Sequence, residues 1–106
     1  NLVEQILLNL FSNALQASDK NGKVHIRFSF KKKNLFIEVR DEGSGISDEN
    51  LKKVFEPFFS TKEKGTGLGL AITKRITEHL QGKITIRSGR VTGSVVRVRL
   101  PDMKEH

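Results

Sequence analysis

Two clusters of glycine residues constrain this chain more than any other feature. The first is Asp41-Glu42-Gly43-Ser44-Gly45 and the second is Gly65-Thr66-Gly67-Leu68-Gly69-Leu70. Glycine at this spacing allows positive φ angles and lets the backbone approach a ligand closely. A glycine run that leads into a helix also offers unpaired amides and the positive end of the helix dipole to an anion. An acidic glycine turn, a basic loop and a glycine-led helix, in that order, predict a nucleotide pocket.

The length and composition are those of one soluble domain. A chain of 106 residues is large enough for a single core. Hydrophobic residues make up 36% and charged residues 29% of the chain, which excludes a disordered or fibrous protein. Nineteen basic and twelve acidic residues give a net charge of +7. This charge favours polyanionic partners in general but identifies none, because the basic residues are scattered along the sequence.

Several other classes of protein are excluded by what the sequence lacks. There is no cysteine, and hence no disulfide framework or thiolate metal site. The longest apolar stretches are far shorter than the roughly 20 residues of a membrane span. Asn1 begins directly in a helical pattern without a signal peptide. We therefore expect a cytoplasmic domain, whose parent protein could be membrane-anchored through other segments.

Hydrophobic periodicity predicts a helix and a hairpin in the first part of the chain. One apolar stripe at helical spacing runs over residues 2–18 and consists of Leu2, Val3, Ile6, Leu7, Leu10, Ala14 and Ala17. A turn at residues 19–22 closes this helix. Residues 24–30 alternate apolar and polar side chains, which predicts a strand with one buried face. Residues 35–39 alternate in the same way and complete a hairpin.

The second part of the chain repeats this combination of helix and hairpin. Ser47 or Asp48 can cap a short helix that runs to about Val54, and residues 55–66 have no clean period. The next helix covers residues 68–80 and ends at Gly82. A second hairpin joins residues 83–88 and 94–100. The predicted fold class is α+β, a two-layer sandwich in which three helices cover one face of an antiparallel-rich sheet.

Asn9 and Asn13 form the first candidate site. At 100° per residue the two side chains lie one above the other, roughly 90° from the centre of the apolar stripe, at the boundary between core and solvent. Stacked amides at the edge of a cleft can bind a hard cation through their oxygens or a phosphate through their N–H groups. The alternative interpretation is that they are ordinary boundary residues.

Asp41 ends a strand and enters the first glycine turn, which has two interpretations. The carboxylate could accept local backbone hydrogen bonds, or it could lie at the base of a pocket and accept one from an exocyclic amine such as adenine N6. The second glycine cluster lacks both the preceding strand of a Rossmann turn and the Gly-Lys-Ser/Thr of a Walker loop. The two commonest nucleotide folds therefore fit poorly.

The loop between the clusters contains Phe55, Phe58, Phe59 and Lys62. Phe55 has two equally weighted interpretations, packing in the core and a functional role. Phe58 and Phe59 lie beside a proline and are harder to bury locally. Lys62 comes shortly before the second glycine cluster and could reach a phosphate bound there. The alternative for this side chain is a solvated surface lysine.

Taken together, these residues resemble the ATP-binding catalytic domain of sensor histidine kinases, within the group that includes gyrase B, Hsp90 and MutL. Residues 9–14 are similar to the N box, residues 41–46 to the G1 box, residues 55–59 to the F box and residues 65–70 to the G2 box. The resemblance runs to Leu100-Pro101 and implies the Bergerat-type fold, with a mixed, mostly antiparallel sheet. It also implies that the strand usually preceding the N-box helix is missing, so that residues 1–106 are an N-terminally trimmed domain.

The resemblance implies a role for each box. Asn13 would ligate the Mg²⁺ that bridges the triphosphate, Asn9 would support it, and Asp41 would bind the adenine amine. The segment between Ile46 and Gly65 would form the ATP lid. The implied nucleotide-binding residues are Asn9, Asn13, Gln16, Ala17, Asp41, Gly43, Gly45, Ile46, Lys62, Gly65, Thr66, Gly67, Leu68, Gly69 and Leu70, and the implied catalytic residues are Asn9, Asn13 and Lys62.

Two positions depart from the pattern of many histidine kinases. A basic and an aromatic residue usually follow the magnesium asparagine by three and four positions, where this chain has Gln16 and Ala17. Lys62 is the candidate that supplies the missing charge. The Gln-Ala pair, together with the sequence Pro-Phe-Phe-Ser-Thr-Lys at residues 57–62, resembles the nitrogen-regulatory and sporulation-type subgroup.

The resemblance also implies cofactors and partners. ATP with Mg²⁺ would donate its γ-phosphoryl group, leaving ADP, to a histidine on a separate dimerisation domain of the same kinase, and a response regulator receiver domain would accept it next. None of His25, His79 and His106 has the sequence context of a phosphoacceptor. Neither nucleic acid nor direct membrane contact is expected.

Two alternatives come from other functional classes. A clamp-type ATPase related to gyrase or Hsp90 would need a glutamate at the position of Asn9 to activate water. A basic nucleic-acid-binding module would use arginines such as Arg87, Arg97 and Arg99, but this chain lacks a recognisable binding motif and a strand of stacking aromatics.

Overall fold

The computed structural model describes residues 1–17, 22–43, 45–56, 69–88 and 93–102. Within these ranges it contains one sheet with helices on one side. The helices are α1 (Leu2–Ala17), α2 (Asp48–Leu51) and α3 (Gly69–His79), and the strands are β1 (Val24–Lys31), β2 (Asn34–Asp41), β3 (Lys83–Ser88) and β4 (Ser94–Leu100). This arrangement confirms the predicted α+β sandwich.

The sheet has the strand order β1-β2-β4-β3, and each neighbouring pair is antiparallel. The pairs β1–β2 and β3–β4 are the two predicted hairpins. The central strands β2 and β4 are distant in sequence, and their register sets Arg40 opposite Val95. The end of β2 therefore lies beside the start of β4.

The core lies between the sheet and the helices α1 and α3. Alternation along β2 directs Leu35, Ile37 and Val39 to the helix-facing side, and all three are buried. The predicted stripe of α1 supplies Ile6 and Leu10, which are also buried. The other buried side chains of this cluster are Ala14, Ile84, Val96, Val98 and Leu100.

The prediction of a buried face on β1 is wrong. The strand forms and its register is regular, but Ile26, Phe28 and Phe30 are 41%, 53% and 41% exposed. These side chains point to the helix side, since they lie opposite Val39, Ile37 and Leu35 of β2. They remain exposed because β1 is an edge strand and α1 packs mainly on β2 and α3 rather than above β1.

The end of α3 also differs from the prediction. The helix stops at His79, and the residue with left-handed backbone is Gln81, at φ 63°, rather than Gly82. The amide of Gly82 donates to the carbonyl of Thr77 and closes the helix. Glycine is required at position 82 for a different reason: a Cβ there would lie 2.2 Å from the carbonyl oxygen of Arg99.

The short helix α2 begins as predicted. Ser47 is its N-cap, and its Oγ accepts a 3.2 Å hydrogen bond from the amide of Asn50. The regular helix ends at Leu51, earlier than expected, and turns continue to Phe55. No side chain of α2 is buried. None of the helices in the described part of the chain is long and apolar enough to cross a membrane.

Candidate functional site

Asp41 is the best-defined polar group of the site. It lies at the end of β2, and its side chain is on the same side of the strand as the core residues of β2. Only 4% of the residue is exposed. Its Oδ1 accepts hydrogen bonds from the amide of Gly43, at 2.9 Å, and the amide of Ser94, at 3.2 Å. The hydroxyl of Ser94 donates to Oδ2 at 2.6 Å. The interpretation as a local backbone acceptor is therefore confirmed. The contact with an exocyclic amine stays a prediction.

Close backbone contact holds the end of β2 against the start of β4. Gly93 has φ 75°, and a Cβ at this position would lie 1.9 Å from the carbonyl oxygen of Asp41. Gly45 has φ 84° and packs against the carbonyl of Gly93, which a Cβ would approach to 3.2 Å. Both positions favour glycine because an L side chain is strained at such φ angles. Gly43, by contrast, is buried without a positive φ.

Ser88 anchors the far side of the first glycine turn. Its Oγ accepts a 3.3 Å hydrogen bond from the amide of Ile46 and donates to the carbonyl of the same residue. This two-way contact ties Ile46 to the end of β3, which is 42 residues away in sequence. The turn that contains Asp41, Gly43, Gly45 and Ile46 is thus held by both strands of the second hairpin.

The asparagine pair lies where helical geometry predicts. Asn9 and Asn13 are both half-buried, one turn apart on α1. The Nδ2 atom of Asn9 is buried and has no hydrogen-bond partner among the described residues. A buried donor without a partner carries a desolvation cost, which a bound acceptor such as a phosphate oxygen or a water molecule would remove. Gln16 is exposed near the end of the same helix, and Ala17 is its last residue.

The described part of the F-box segment packs beside α3. Val54 is buried, and Phe55 is half-buried against the core. The ammonium of Lys74 lies 5.2 Å from the centroid of the Phe55 ring, within the range of a cation–π contact. Phe55 therefore packs on the core, in agreement with the first of its two interpretations. Phe58 and Phe59 lie outside the described residues.

The second glycine cluster is described only from Gly69 onward. Gly69 and Leu70 form the first turn of α3, where backbone amides lack helical acceptors. Among the described residues, a Cβ added at Gly69 would meet no atom within 4 Å apart from its chain neighbours and the backbone of its own helix. Four predicted nucleotide-binding residues, Gly65, Thr66, Gly67 and Leu68, lie outside the described residues, as does Lys62. Their proposed contacts remain predictions.

Sequence reasoning missed three residues of this site, namely Ser88, Gly93 and Ser94. A signal for Ser94 was present in the alternation of β4, because it falls on the helix-facing side with Val96, Val98 and Leu100. A polar side chain in the buried phase of a strand requires a hydrogen-bond partner. That partner, Asp41, lies in the corresponding phase of β2.

The described residues contain no group of three or more His, Asp or Glu side chains arranged to hold a metal ion. Mg²⁺ in nucleotide sites typically uses one or two protein ligands and completes its coordination with phosphate oxygens and water. An asparagine oxygen on α1 suits that type of coordination.

A family model described as "Histidine kinase-, DNA gyrase B-, and HSP90-like ATPase" matches residues 1–104. The chain belongs to this ATPase family. Among curated relatives, sporulation kinase C of Bacillus subtilis is 43% identical over 101 residues, a match that covers 95% of this chain and 24% of the relative. The signal transduction histidine-protein kinase AtoS of Escherichia coli is 41% identical, covering 94% of this chain and 17% of the relative. The chain thus spans a quarter or less of these two kinases.

Solved structures of histidine kinases share the fold. The catalytic domain of histidine kinase ThkA superposes with a TM-score of 0.86 at 37% identity, covering 96% of this chain and 67% of that one. Full-length ShkA in complex with AMPPNP superposes with a TM-score of 0.82 at 29% identity, covering 94% of this chain and 21% of ShkA. This chain is therefore similar, in sequence and in fold, to histidine kinase catalytic domains.

Proposed function

We propose that this domain binds ATP with Mg²⁺ and transfers the γ-phosphoryl group to a histidine on a separate dimerisation and phosphoacceptor domain of the same protein. The observation that carries the proposal is the fixed, buried carboxylate of Asp41. Hydrogen bonds from Gly43 and Ser94 orient it. A preoriented acceptor of this kind suits the exocyclic amine of adenine, because little ordering is needed on binding.

The phosphates would lie between α1 and the start of α3. The first turn of α3 at Gly69 offers backbone amides and the positive end of the helix dipole. Asn13 would hold the Mg²⁺, which supplies charge neutralisation to the triphosphate. The unpartnered Nδ2 of Asn9 would gain an acceptor on the bound nucleotide or its hydration shell. Lys62 would add positive charge from the lid.

The transfer step requires little covalent chemistry from this domain. The bond between the γ-phosphorus and the β–γ bridging oxygen breaks, a bond to an imidazole nitrogen of the acceptor forms, and ADP leaves. The acceptor domain must dispose of any imidazole proton. The role of this chain is to position the triphosphate and stabilise its charge. Asn9 cannot accept a proton from water, so we expect hydrolysis to remain slow.

Several further expectations depend on the longer protein. Residues 1–106 would belong to one histidine kinase catalytic domain. The phosphorylated histidine would pass its phosphoryl group to the receiver domain of a response regulator. We place the domain in the cytoplasm, where ATP is available. The names of the kinase relatives support the kinase role on which these proposals rest.

A reconstitution experiment tests the proposal. The domain is incubated with radiolabelled ATP, Mg²⁺ and the phosphoacceptor domain of a sporulation-type relative, and the label is followed on both proteins. We expect acid-labile phosphohistidine on the acceptor domain, little stable label on this chain and near-background release of inorganic phosphate. Rapid hydrolysis by this domain alone, without labelling of a histidine, would replace the kinase assignment with that of a clamp-type ATPase.

A further inference from the structure

The face of the sheet opposite the helices carries an unusual concentration of basic residues. Alternation along the four strands places seven lysine and arginine side chains on this face, and we call them the basic face: Arg27, Lys31, Arg40, Lys83, Arg87, Arg97 and Arg99. None of the contacting helices lies on this side, because α1 and α3 pack on the buried side chains of the other face.

This face accounts for almost all of the net charge. Its strands carry one acidic side chain on the same side, Glu38. The face therefore holds seven of the nineteen basic residues and one of the twelve acidic residues. The remaining twelve basic and eleven acidic residues nearly cancel. A charge that is scattered in sequence is thus concentrated on one surface by the pairing of the strands, and such a surface attracts anionic partners.

The strand register arranges the cations in rows across the sheet. Arg27 and Arg97 share the row of Glu38, and Arg40 and Arg87 share the row of His25 and Val95. Arg99 and Lys83 share a third row. Neighbouring strands are about 4.8 Å apart, and rows two residues apart are separated by about 6.8 Å. The second spacing equals that of alternate side chains on an extended peptide.

Glu38 shows how this face binds a carboxylate. Its Oε1 accepts a 2.9 Å hydrogen bond from Arg40, and its Oε2 accepts one of 3.2 Å from Arg97. Burial acts to raise the pKa of Glu38, but the hydrogen bonds and charges of the two arginines outweigh it and lower the pKa below its ordinary value. The paired arginines are held in place, whereas Arg27, Lys31, Lys83 and Arg87 have no acidic partner among the described residues.

We propose that the basic face is a docking surface for an acidic segment of a partner protein, in which aspartate or glutamate side chains pair with the unpartnered cations of β1 and β3, which lie four residues apart along each strand. Five of the seven cations are arginines, whose planar guanidinium groups bind carboxylates in two-pronged geometry. Within the sheet, Glu38 already pairs with two guanidinium groups, one at each carboxylate oxygen.

Two other polyanions fit this surface less well. Single-stranded nucleic acid binds open sheets through aromatic side chains on which successive bases stack. On the described strands of this face, the one phenylalanine is Phe36, which is half-buried. An anionic membrane is flat, whereas neighbouring strands twist by about 20 to 25° each, so that four strands present a saddle. A flexible acidic peptide can follow that saddle.

The basic face and the nucleotide site are on opposite sides of the sheet, since Asp41 points to the helix side with Val39. Docking can therefore be tested independently of ATP binding. Arg27 and Arg87 are exposed residues on β1 and β3 and are suited to charge reversal. Arg75, exposed on α3, provides a matched control with the same change in net charge.

The test uses fluorescence anisotropy with a labelled peptide in which glutamate alternates with serine. An oligothymidine of equal charge and vesicles of phosphatidylcholine with phosphatidylserine serve as comparison ligands at the same ionic strength. We expect Arg27→Glu and Arg87→Glu each to weaken peptide binding by roughly three- to tenfold, because reversal removes one attraction and adds one repulsion. Arg75→Glu should change it by less than about twofold, and ATP affinity should be unchanged in all three variants.

The outcomes are decisive in both directions. Selective loss of peptide binding in the two β-strand variants, with ATP binding intact, supports the docking surface whether or not the kinase proposal holds. Equal loss in Arg75→Glu would show that only net charge matters and would overturn it. Tighter, face-dependent binding of the oligothymidine or the vesicles would assign the surface to nucleic acid or membrane instead. No measurable peptide binding would also reject the proposal.

Discussion

The hydroxyl of Ser94 donates a 2.6 Å hydrogen bond to Oδ2 of Asp41, across 53 residues of sequence. The Ser94 amide donates to Oδ1 of the same carboxylate. Both contacts arise because the register of β2 and β4 brings the end of one central strand beside the start of the other. Ser94 is therefore a positioning residue for the carboxylate that we assign to adenine.

We expect Ser94→Ala to weaken ATP binding by about 1 kcal/mol, because the carboxylate loses one of the donors that orient it. Ser94→Thr retains the hydroxyl and should restore most of the affinity. Calorimetric titration with ATP measures both effects. If alanine and threonine variants bind ATP as tightly as the unmodified domain, the hydroxyl does not position Asp41 for binding.

Asp41→Asn tests the base contact itself. Replacing the charged acceptor should weaken adenine nucleotides by about 1 to 3 kcal/mol and reduce discrimination against guanine nucleotides. The matched control is Glu78→Gln, which makes the same chemical change on the exposed side of α3. Unchanged affinity and selectivity in Asp41→Asn, measured by competition between ATP and GTP, would exclude the proposed contact.

Asn9→Leu separates stability from function. The leucine removes a buried donor that lacks a partner, so the free energy of unfolding should rise by about 1 kcal/mol while Mg-ATP binding weakens. Urea denaturation and calorimetry measure the two quantities, and Gln5→Leu is a polar-to-apolar control on an exposed position of the same helix. A less stable variant with unchanged Mg-ATP affinity would contradict both expectations.

A pair of glycine substitutions tests the close contact at the site. Gly93→Ala should lower the free energy of unfolding by about 3 kcal/mol or more, because its Cβ would collide with the Asp41 carbonyl at a positive φ. Gly69→Ala meets open space at the start of α3 and should change stability by less than about 1 kcal/mol. Similar thermal stability of the two variants would show that the strands do not approach as closely as described.

Glu38 predicts a pH dependence of stability. Its folded-state pKa is lowered, so its contribution is present above the ordinary glutamate pKa and is lost as the pH falls through the folded value. Glu38→Gln should therefore reduce the free energy of unfolding at neutral pH by about 1 kcal/mol at most, given the half-exposed arginines, and the difference should shrink in acid. Glu56→Gln, at an exposed position, should show no such trend in denaturation curves across this pH range.

Local geometry made some features predictable from the sequence. The stripe that contains Ile6 and Leu10 and the boundary position of Asn9 and Asn13 follow from the 100° rotation per helical residue, which needs no information from the rest of the chain. Alternation similarly indicated every strand, and the order of the four boxes indicated the ATPase family. The nucleotide contacts of Lys62 and of residues 65–68 are still predictions.

The tertiary structure decided what depends on distant neighbours. Ile26 and Phe28 alternate as well as Ile37 and Val39 do, yet they are exposed, because burial depends on which helix lies above a strand. The sequence indicated a hairpin turn at Gly93 and the start of a strand at Ser94, but only strand pairing set both residues against Asp41. The basic face arises in the same way. Each strand determines by itself which of its side chains share a side. Only the register between strands brings Arg27, Arg97 and their neighbours onto one surface, because the strands that pair by hydrogen bonds are distant in sequence.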